Sequence, residues 1–312
     1  MEQQYKWKFS IGIPAFKSKF LEECISSILT QTYPYFELII INDCSPEPLE
    51  TIIHAFNDER ILYSKNDKNT GAEHVVRNWN NCLAKATGDF FILMGDDDKM
   101  EPDYLEEFVQ LIGRYPDLDV FHTRTCIINE ASQPTGLTQS VPEYETVYDA
   151  MWHRINFWRT QFISDFVYRT AALKAKGGFY YFPLAWASDD VTAYIACGKK
   201  GIAHNNKLLF NYRISRYTIS KTGNYLLKMD ALKEEKKWLE EFLAIKPSLP
   251  QDIILHADIK NKLDWYIRRR TIFTMHASVR EGWLKYSYMW WQHRKKYGIT
   301  IKELAYAIIG KY

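Results

Sequence analysis

The first 130 residues alternate between short apolar runs and longer stretches in which apolar residues recur every three or four positions. Residues 9–13 are apolar and followed by Pro14, the pattern of a buried strand ending in a loop. Through 19–31, Leu21, Ile25, Ile28 and Leu29 fall on one helical face. Residues 38–41 form a second apolar strand that closes on Asn42-Asp43-Cys44-Ser45-Pro46, a run of loop formers. A helix over 49–56, a strand over 61–64, a helix over 72–85 and, after Gly88, a strand over 90–94 follow. Pro102 suits the first turn of a helix ending near Tyr115, where its missing N–H has no partner to lose. Residues 120–128 read as a further strand. This alternation predicts an α/β fold, a mostly parallel sheet flanked by helices on both faces.

Beyond this point the pattern weakens. Residues 132–186 are aromatic and aperiodic, and no element is assigned there. Residues 189–197 look helical, 202–212 contain a short strand, and after Thr222 the chain reads as helices broken at 247–250 and near Gly298. Two regions are therefore expected: 1–220, with halves at about 8–130 and 131–220, and a C-terminal helical extension, 221–312.

Charge divides the chain at the same place. Residues 221–312 hold 18 Lys/Arg and 10 Asp/Glu, against 22 and 28 in residues 1–220, although the whole chain carries only +2. Half of the ten tryptophans lie in the extension. The proportions of 46% hydrophobic and 25% charged residues exclude disorder and fibrous repeats over the whole chain. No apolar run reaches the ~18–20 residues that a bilayer-spanning helix needs. The N-terminus lacks the apolar core of a signal peptide. Five scattered cysteines without a CxxC pair suit free thiols in a reducing compartment, so a cytoplasmic protein is expected.

In open α/β sheets, ligands bind beyond the carboxyl ends of the strands. Three predicted strand ends carry Pro14-Ala15-Phe16, Asn42-Asp43 and Gly95-Asp96-Asp97-Asp98. Three successive carboxylates repel unless a cation or donors neutralise them, and hard oxygen ligands suit Mg²⁺ or Mn²⁺ on a phosphate. The same residues also read as a solvated acidic turn before a helix. Asp43 can accept hydrogen bonds from a base or ribose, or simply form an Asx-turn. Arg77, after the loop Asn69-Thr70-Gly71, can approach a phosphate or nucleobase or be a plain surface arginine. Asp189-Asp190 opens a helix, where a general base and a helix cap are both consistent. There is no G-x-G-x-x-G after a strand, no G-x-x-x-x-G-K-[ST], no G-x-S-x-G elbow and no H-E-x-x-H.

In order along the chain, several segments resemble the family 2 inverting glycosyltransferases, which have the GT-A fold. They are residues 9–16 with 21–34, residues 36–45, Asn69-Thr70-Gly71, Arg77-Asn78 and Ala86-Thr87-Gly88-Asp89. They continue with residues 91–98 and Glu101-Pro102-Asp103 as a D-x-D region, the acidic pair Asp189-Asp190, and Asn211-Tyr212-Arg213 with Ser220. The resemblance covers about residues 8–220. It implies a metal-dependent transfer from a nucleotide-sugar donor, most commonly a UDP-sugar, to a hydroxyl of a glycan or lipid-linked acceptor in bacterial surface polysaccharide assembly. Pro14, Ala15 and Phe16 would border the nucleoside, and Asp43 would bind the base, with Asn69, Gly71 and Arg77 nearby. Asp96 would contact the ribose or metal shell. Asp97 would be the principal ligand of Mg²⁺ or Mn²⁺, with Asp98 beside it. Asp190 would be the catalytic base and Asp189 the second candidate. Two departures stand out: Gly95 occupies the place of the first Asp of the D-x-D, and Lys17 that of a common Asn.

The extension lies outside this resemblance. Leu255, Ile259, Leu263 and Ile267 recur at helical spacing, which implies packing on the rest of the protein. Arg268-Arg269-Arg270 and Arg294-Lys295-Lys296 near Trp283, Trp290 and Trp291 have the composition of a helix lying on an anionic membrane. That would place the protein peripherally on the inner face of the cytoplasmic membrane; dimerisation through the aromatic face is a third reading. No nucleic-acid-binding module is present, so nucleic acid is not an expected partner. A sugar-1-phosphate nucleotidyltransferase would need a glycine-rich loop after the first strand, which Pro14-Ala15-Phe16 does not provide. A catalytically silent binding protein on the same scaffold is the competing reading from another class, favoured only by Gly95.

Overall fold

The computed structural model describes residues 6–215 and 224–311. Ser220 therefore lies outside the described residues. The chain runs β1 (Phe9–Ala15), α1 (Leu21–Leu29), β2 (Phe36–Asn42), α2 (Leu49–His54), β3 (Ile61–Lys65), a 3-10 turn (Ala72–His74), α3 (Val75–Lys85), β4 (Phe90–Leu93), β5 (Lys99–Met100) and α4 (Tyr104–Arg114). It continues through β6 (Val120–Ile128), β7 (Pro134–Leu137), β8 (Tyr144–Glu145), α5 (Val147–Ile155), β9 (Phe166–Arg169), α6 (Thr170–Ala175), α7 (Ser188–Cys197) and β10 (Ile202–Arg213). Four helices close it: α8 (Tyr225–Phe242), α9 (Pro250–Glu281), α10 (Trp283–Tyr297) and α11 (Ile301–Ile309). Pro102 sits in the turn before α4, which begins at Tyr104, rather than in its first turn. The extension breaks at Gly282 as well as at the two predicted places.

All ten strands form one sheet, whose main path is β3-β2-β1-β4-β9-β6-β10-β5. The first four strands are parallel, while β9 runs antiparallel to both β4 and β6 and makes the far half mixed. Strand order therefore reverses beside β1, with β2 on one side and β4 on the other. Alternate residues serve opposite faces. Leu38, Ile40, Phe90 and Ile92 join the core under α1 and α4, whereas Ile39, Ile41, Phe91 and Leu93 pack with Val76, Trp79 and Cys82 of α3. Gly12 makes that second layer close-fitting, since a Cβ there would lie 2.7 Å from Cys82 Cβ. Pro14 is tolerated at the end of β1 because pairing with β4 stops at Gly12 and only β2 continues beside it.

The extension packs on this body rather than standing apart. Ile259, Leu263 and Tyr266 of α9 join the α3-side core, as the spacing predicts. A further core gathers Met229, Leu232, Met275 and Trp290, whose indole N–H donates to Ser278 Oγ at 2.8 Å. Trp290 is thus a core residue, while Trp283 and Trp291 are exposed. The triple arginine is also divided. Arg270 pairs with buried Glu235, Arg269 lies over Phe157 at 4.8 Å, and Arg268 stays exposed 3.7 Å from Glu303.

Candidate active site

The crevice at the reversal of strand order is closed by the chain itself. The backbone N–H groups of Phe16 and Lys17, just past β1, both donate to Asp96 Oδ2 at 2.8 Å. That binds the loop after β1 to the loop after β4. The Lys17 ammonium lies across the next carboxylate as well, 3.2 Å from Asp96 Oδ1 and 2.9 Å from Asp97 Oδ2. Burial lowers the Lys17 pKa, but the charges of Asp96 and Asp97 outweigh it and raise the pKa overall. Burial also raises the Asp96 pKa, against the opposing pull of Lys17.

Asp98 faces the last strand. Its Oδ1 accepts the Arg213 backbone N–H at 2.9 Å and its Oδ2 the Ser164 hydroxyl at 3.4 Å. Burial and the neighbouring Asp97 charge push its pKa well up. The fully buried Arg213 guanidinium donates to Asp97 O at 2.7 Å, Ser132 Oγ at 2.9 Å and Glu23 Oε2 at 2.6 Å, and stacks on Phe20 at 4.2 Å. Gly95 has a packing reason: a Cβ at that position would meet Asp98 Oδ2 at 2.7 Å.

Carboxylate oxygens are suitable ligands for Mg²⁺ or Mn²⁺. Asp97 fits, because its Oδ1 has no hydrogen-bond partner among the described residues while Lys17 occupies Oδ2. Both Asp98 oxygens have partners inside the protein. Glu145, Asp149 and His153 also stand together, but Arg159 and His204 already occupy Glu145.

Asp43 follows β2 at the same rim. Its carboxylate accepts from Asn66 Nδ2 at 2.8 Å, from Thr70 N at 3.0 Å and from Thr70 Oγ1 at 2.7 Å. Asn66 Nδ2 also donates to buried Asn78 Oδ1 at 3.1 Å, so α3 supports this loop through Asn78. Arg77, one residue earlier, is exposed and has no hydrogen bond or ion pair among the described residues. Asn69 Oδ1 accepts the N–H of Gly71, whose φ of 74° favours glycine. Pro14 and Ala15 end β1, and Phe16 stands exposed at the lip.

The acidic pair lies in the first turn of α7, after Ala187 in a left-handed conformation. Asp190 is buried and held in place. Arg154 Nε donates to its two oxygens at 3.0 and 2.8 Å, and Gln161 Nε2 donates to Oδ1 at 2.5 Å. The carboxyl of Asp189, on a residue less deeply enclosed, is pushed up to about 7 by its protein surroundings and then by the Asp190 charge. Burial raises the Tyr212 pKa, and the charges of Asp98, Asp97 and Asp189 each add to it. Its ring stacks on Phe162 at 3.7 Å.

Sequence reasoning missed Arg154, Gln161 and Ser164. All three lie in the aperiodic stretch, 29 to 66 residues from the carboxylates they contact. Lys17 had been singled out only as a departure from the family pattern.

The chain is 26% identical over 221 residues to TuaG of Bacillus subtilis, provisionally named a teichuronic acid biosynthesis glycosyltransferase, covering 69% of this chain and 82% of TuaG. It is 38% identical over 103 residues to WcaA of Escherichia coli, provisionally named for colanic acid biosynthesis, covering 32% of this chain and 36% of WcaA. It spans about a third of the length of GlyA, a glycosyltransferase of Streptococcus pneumoniae, at 27% identity over 229 residues. Its fold is shared with S. aureus TarS 1–349 in complex with UDP-GlcNAc, at TM-score 0.67 and 17% identity, over 97% of this chain and 88% of that one. It is shared too with the mannosyltransferase PcManGT of Pyrobaculum calidifontis in complex with GDP-Man and Mn²⁺, at TM-score 0.57 and 13% identity, over 98% and 87%. Residues 10–186, more than half of the chain, match the profile of glycosyl transferase family 2, and the chain belongs to that family as a glycosyltransferase of GT-A fold.

Proposed function

We propose that this protein moves a sugar, with inversion, from a nucleotide-sugar donor of the UDP class to a hydroxyl of a glycan or lipid-linked acceptor in bacterial surface polysaccharide assembly. The names of TuaG and WcaA and the UDP-GlcNAc complex of TarS support the pathway and the donor class. The observation that carries the reading is the placement of Asp43 after β2 and of Asp96 and Asp97 after β4, on either side of the reversal of strand order, with a carboxylate pair in the first turn of α7.

On this reading Pro14, Ala15 and Phe16 border the nucleoside, Asp43 with Asn69 and Gly71 receives the base, and Asp96 faces the ribose. Arg77, exposed on α3, is free to meet the nucleotide from outside. Asp97 would hold Mg²⁺ or Mn²⁺, which supplies Lewis-acid stabilisation to the departing diphosphate. Asp190 takes the proton of the acceptor hydroxyl while that oxygen displaces the nucleotide from the opposite face of the anomeric carbon. Arg154 and Gln161 fix its orientation, the usual arrangement of a base aimed by a third group.

Calorimetric titration with UDP, GDP and dTDP, with and without Mn²⁺, tests the donor site. Binding of one nucleotide is expected, followed by turnover of sugars carried on it. Binding of none would favour a silent scaffold.

The exposed face of α10 favours a membrane-borne acceptor. Leu284, Tyr288 and Trp291 lie on one stripe, with Lys285 and Lys295 exposed beside them. None of the helices among the described residues is long and apolar enough to cross a membrane, and the contact proposed is a peripheral one. Flotation with phosphatidylglycerol vesicles but not phosphatidylcholine vesicles is expected, and its loss in Trp291→Glu would locate the contact.

A further inference from the structure

We infer that the Lys17 ammonium is a built-in cation of the donor site, competing with a divalent ion for Asp97 and giving this enzyme a metal-independent mode of nucleoside diphosphate binding. The inference rests on the donor-site reading above and goes beyond it. An ammonium has three donors. In Lys17, one donates to Asp97 Oδ2 at 2.9 Å and the ammonium also lies 3.2 Å from Asp96 Oδ1, which leaves a donor for a phosphate oxygen. The side chain is a quarter exposed, whereas those of the two carboxylates are about one-tenth exposed or less, so the charge presented outward is the positive one.

Charge balance gives the direction of the effect. Asp96 and Asp97 would together repel a diphosphate, and Lys17 cancels half of that repulsion before any metal arrives. A divalent ion that takes both oxygens of Asp97 must first displace the ammonium from Oδ2. Through Oδ1 alone it binds beside a positive charge. Either route weakens metal affinity, so Lys17 favours nucleotide without metal and opposes metal without nucleotide. The backbone N–H of Lys17 is bound to Asp96 Oδ2, which anchors the root of the side chain beside the site.

Calorimetry with UDP, GDP and dTDP in EDTA and in Mn²⁺, on wild type, Lys17→Met and Lys17→Arg, tests this, together with Mn²⁺ titration read by the EPR signal of the free ion. Wild type is expected to keep nucleotide binding in EDTA. Lys17→Met is expected to lose about tenfold or more of that affinity while binding Mn²⁺ more tightly, and Lys17→Arg to keep the EDTA affinity. Wild-type binding that is strictly dependent on Mn²⁺ overturns the inference while leaving the donor site intact. Unchanged EDTA affinity in Lys17→Met also overturns it. Absence of binding under every condition removes the donor site itself. If Lys17→Met loses its near-ultraviolet circular dichroism, the wild-type measurement in EDTA still decides.

Discussion

Arg154 grips Asp190 from a helix 36 residues earlier, its Nε donating to both carboxylate oxygens at 3.0 and 2.8 Å. Through this contact α5 fixes the orientation of the α7 carboxylate, which on the proposed reading is the base. General-base assistance is typically worth about 10²–10⁴-fold in rate. Asp190→Asn keeps the shape and the Gln161 neighbour but cannot accept the proton, so kcat should fall by about that range. Nucleotide affinity, measured by calorimetry, should stay within about twofold, because Asp190 does not touch the donor crevice on this reading. Turnover close to wild type would remove Asp190 as the base.

Asp189 gives a pH dependence of definite sign. Its carboxyl is pushed up to about 7 by burial and by the Asp190 charge. Asp189 therefore keeps its proton below neutrality, and kcat/KM should fall on the acid side of about pH 7. Asp189→Asn removes the like charge, so the acidic limb should move to lower pH with turnover retained at pH 8. Equal loss at every pH would make Asp189 the base instead.

Stability should respond to the same residue in the matching direction. A carboxyl whose pKa is higher folded than unfolded binds its proton more tightly in the native state, which helps folding below the unfolded pKa near 4. That help is lost as pH rises through about 7. Asp189→Asn should then raise the thermal midpoint at pH 8 and change it less at pH 5.5. The reverse order would contradict the raised pKa.

The sequence was most informative where one element sufficed to position a residue. Apolar runs ending in turn formers located β1, β2 and β4, and with them Pro14, Asp43 and the Asp96–Asp98 segment. Residues 132–186 resisted because their strands are two to four residues long, and two of them, β8 and β9, pair antiparallel with partners distant in sequence. Too few alternations occur in such strands to reveal a period. Arg154 and Gln161 were hidden for the same reason, since nothing local marks a side chain whose partner lies on another element. The tryptophans of the extension teach a related lesson. Composition grouped Trp283, Trp290 and Trp291, but the fold buries the middle one and leaves the outer two exposed.

Gly95 invites a restoration experiment. Gly95→Asp returns the acidic residue that the family pattern places there, yet its Cβ would lie 2.7 Å from Asp98 Oδ2 and 3.3 Å from Asp97 Oδ1. The steric conflict and a fourth negative charge act together. Overpacking of this kind costs about 1–3 kcal/mol, so the thermal midpoint should drop and nucleotide affinity in EDTA should fall. A stable variant with tighter metal-dependent binding would show that Asp98 can move aside.

Arg213 should be the residue whose loss unites stability and binding. It is fully buried, and its guanidinium satisfies Asp97 O, Asn129 O, Ser132 Oγ and Glu23 at once. Arg213→Met keeps much of the apolar stem but loses the guanidinium that stacks on Phe20, and it leaves those acceptors and the Glu23 charge without their partner. Breaking a buried ion pair costs about 3–5 kcal/mol. Glu23 is about one-third exposed and can turn to water, so the lower end, ~3 kcal/mol, is expected from urea unfolding. The Asp97 backbone would lose its anchor while Asp98 keeps the backbone N–H of residue 213, so nucleotide affinity in Mn²⁺ should weaken even where the variant is folded. Full affinity in a destabilised protein would mean that the segment from Gly95 to Asp98 is held by the sheet alone.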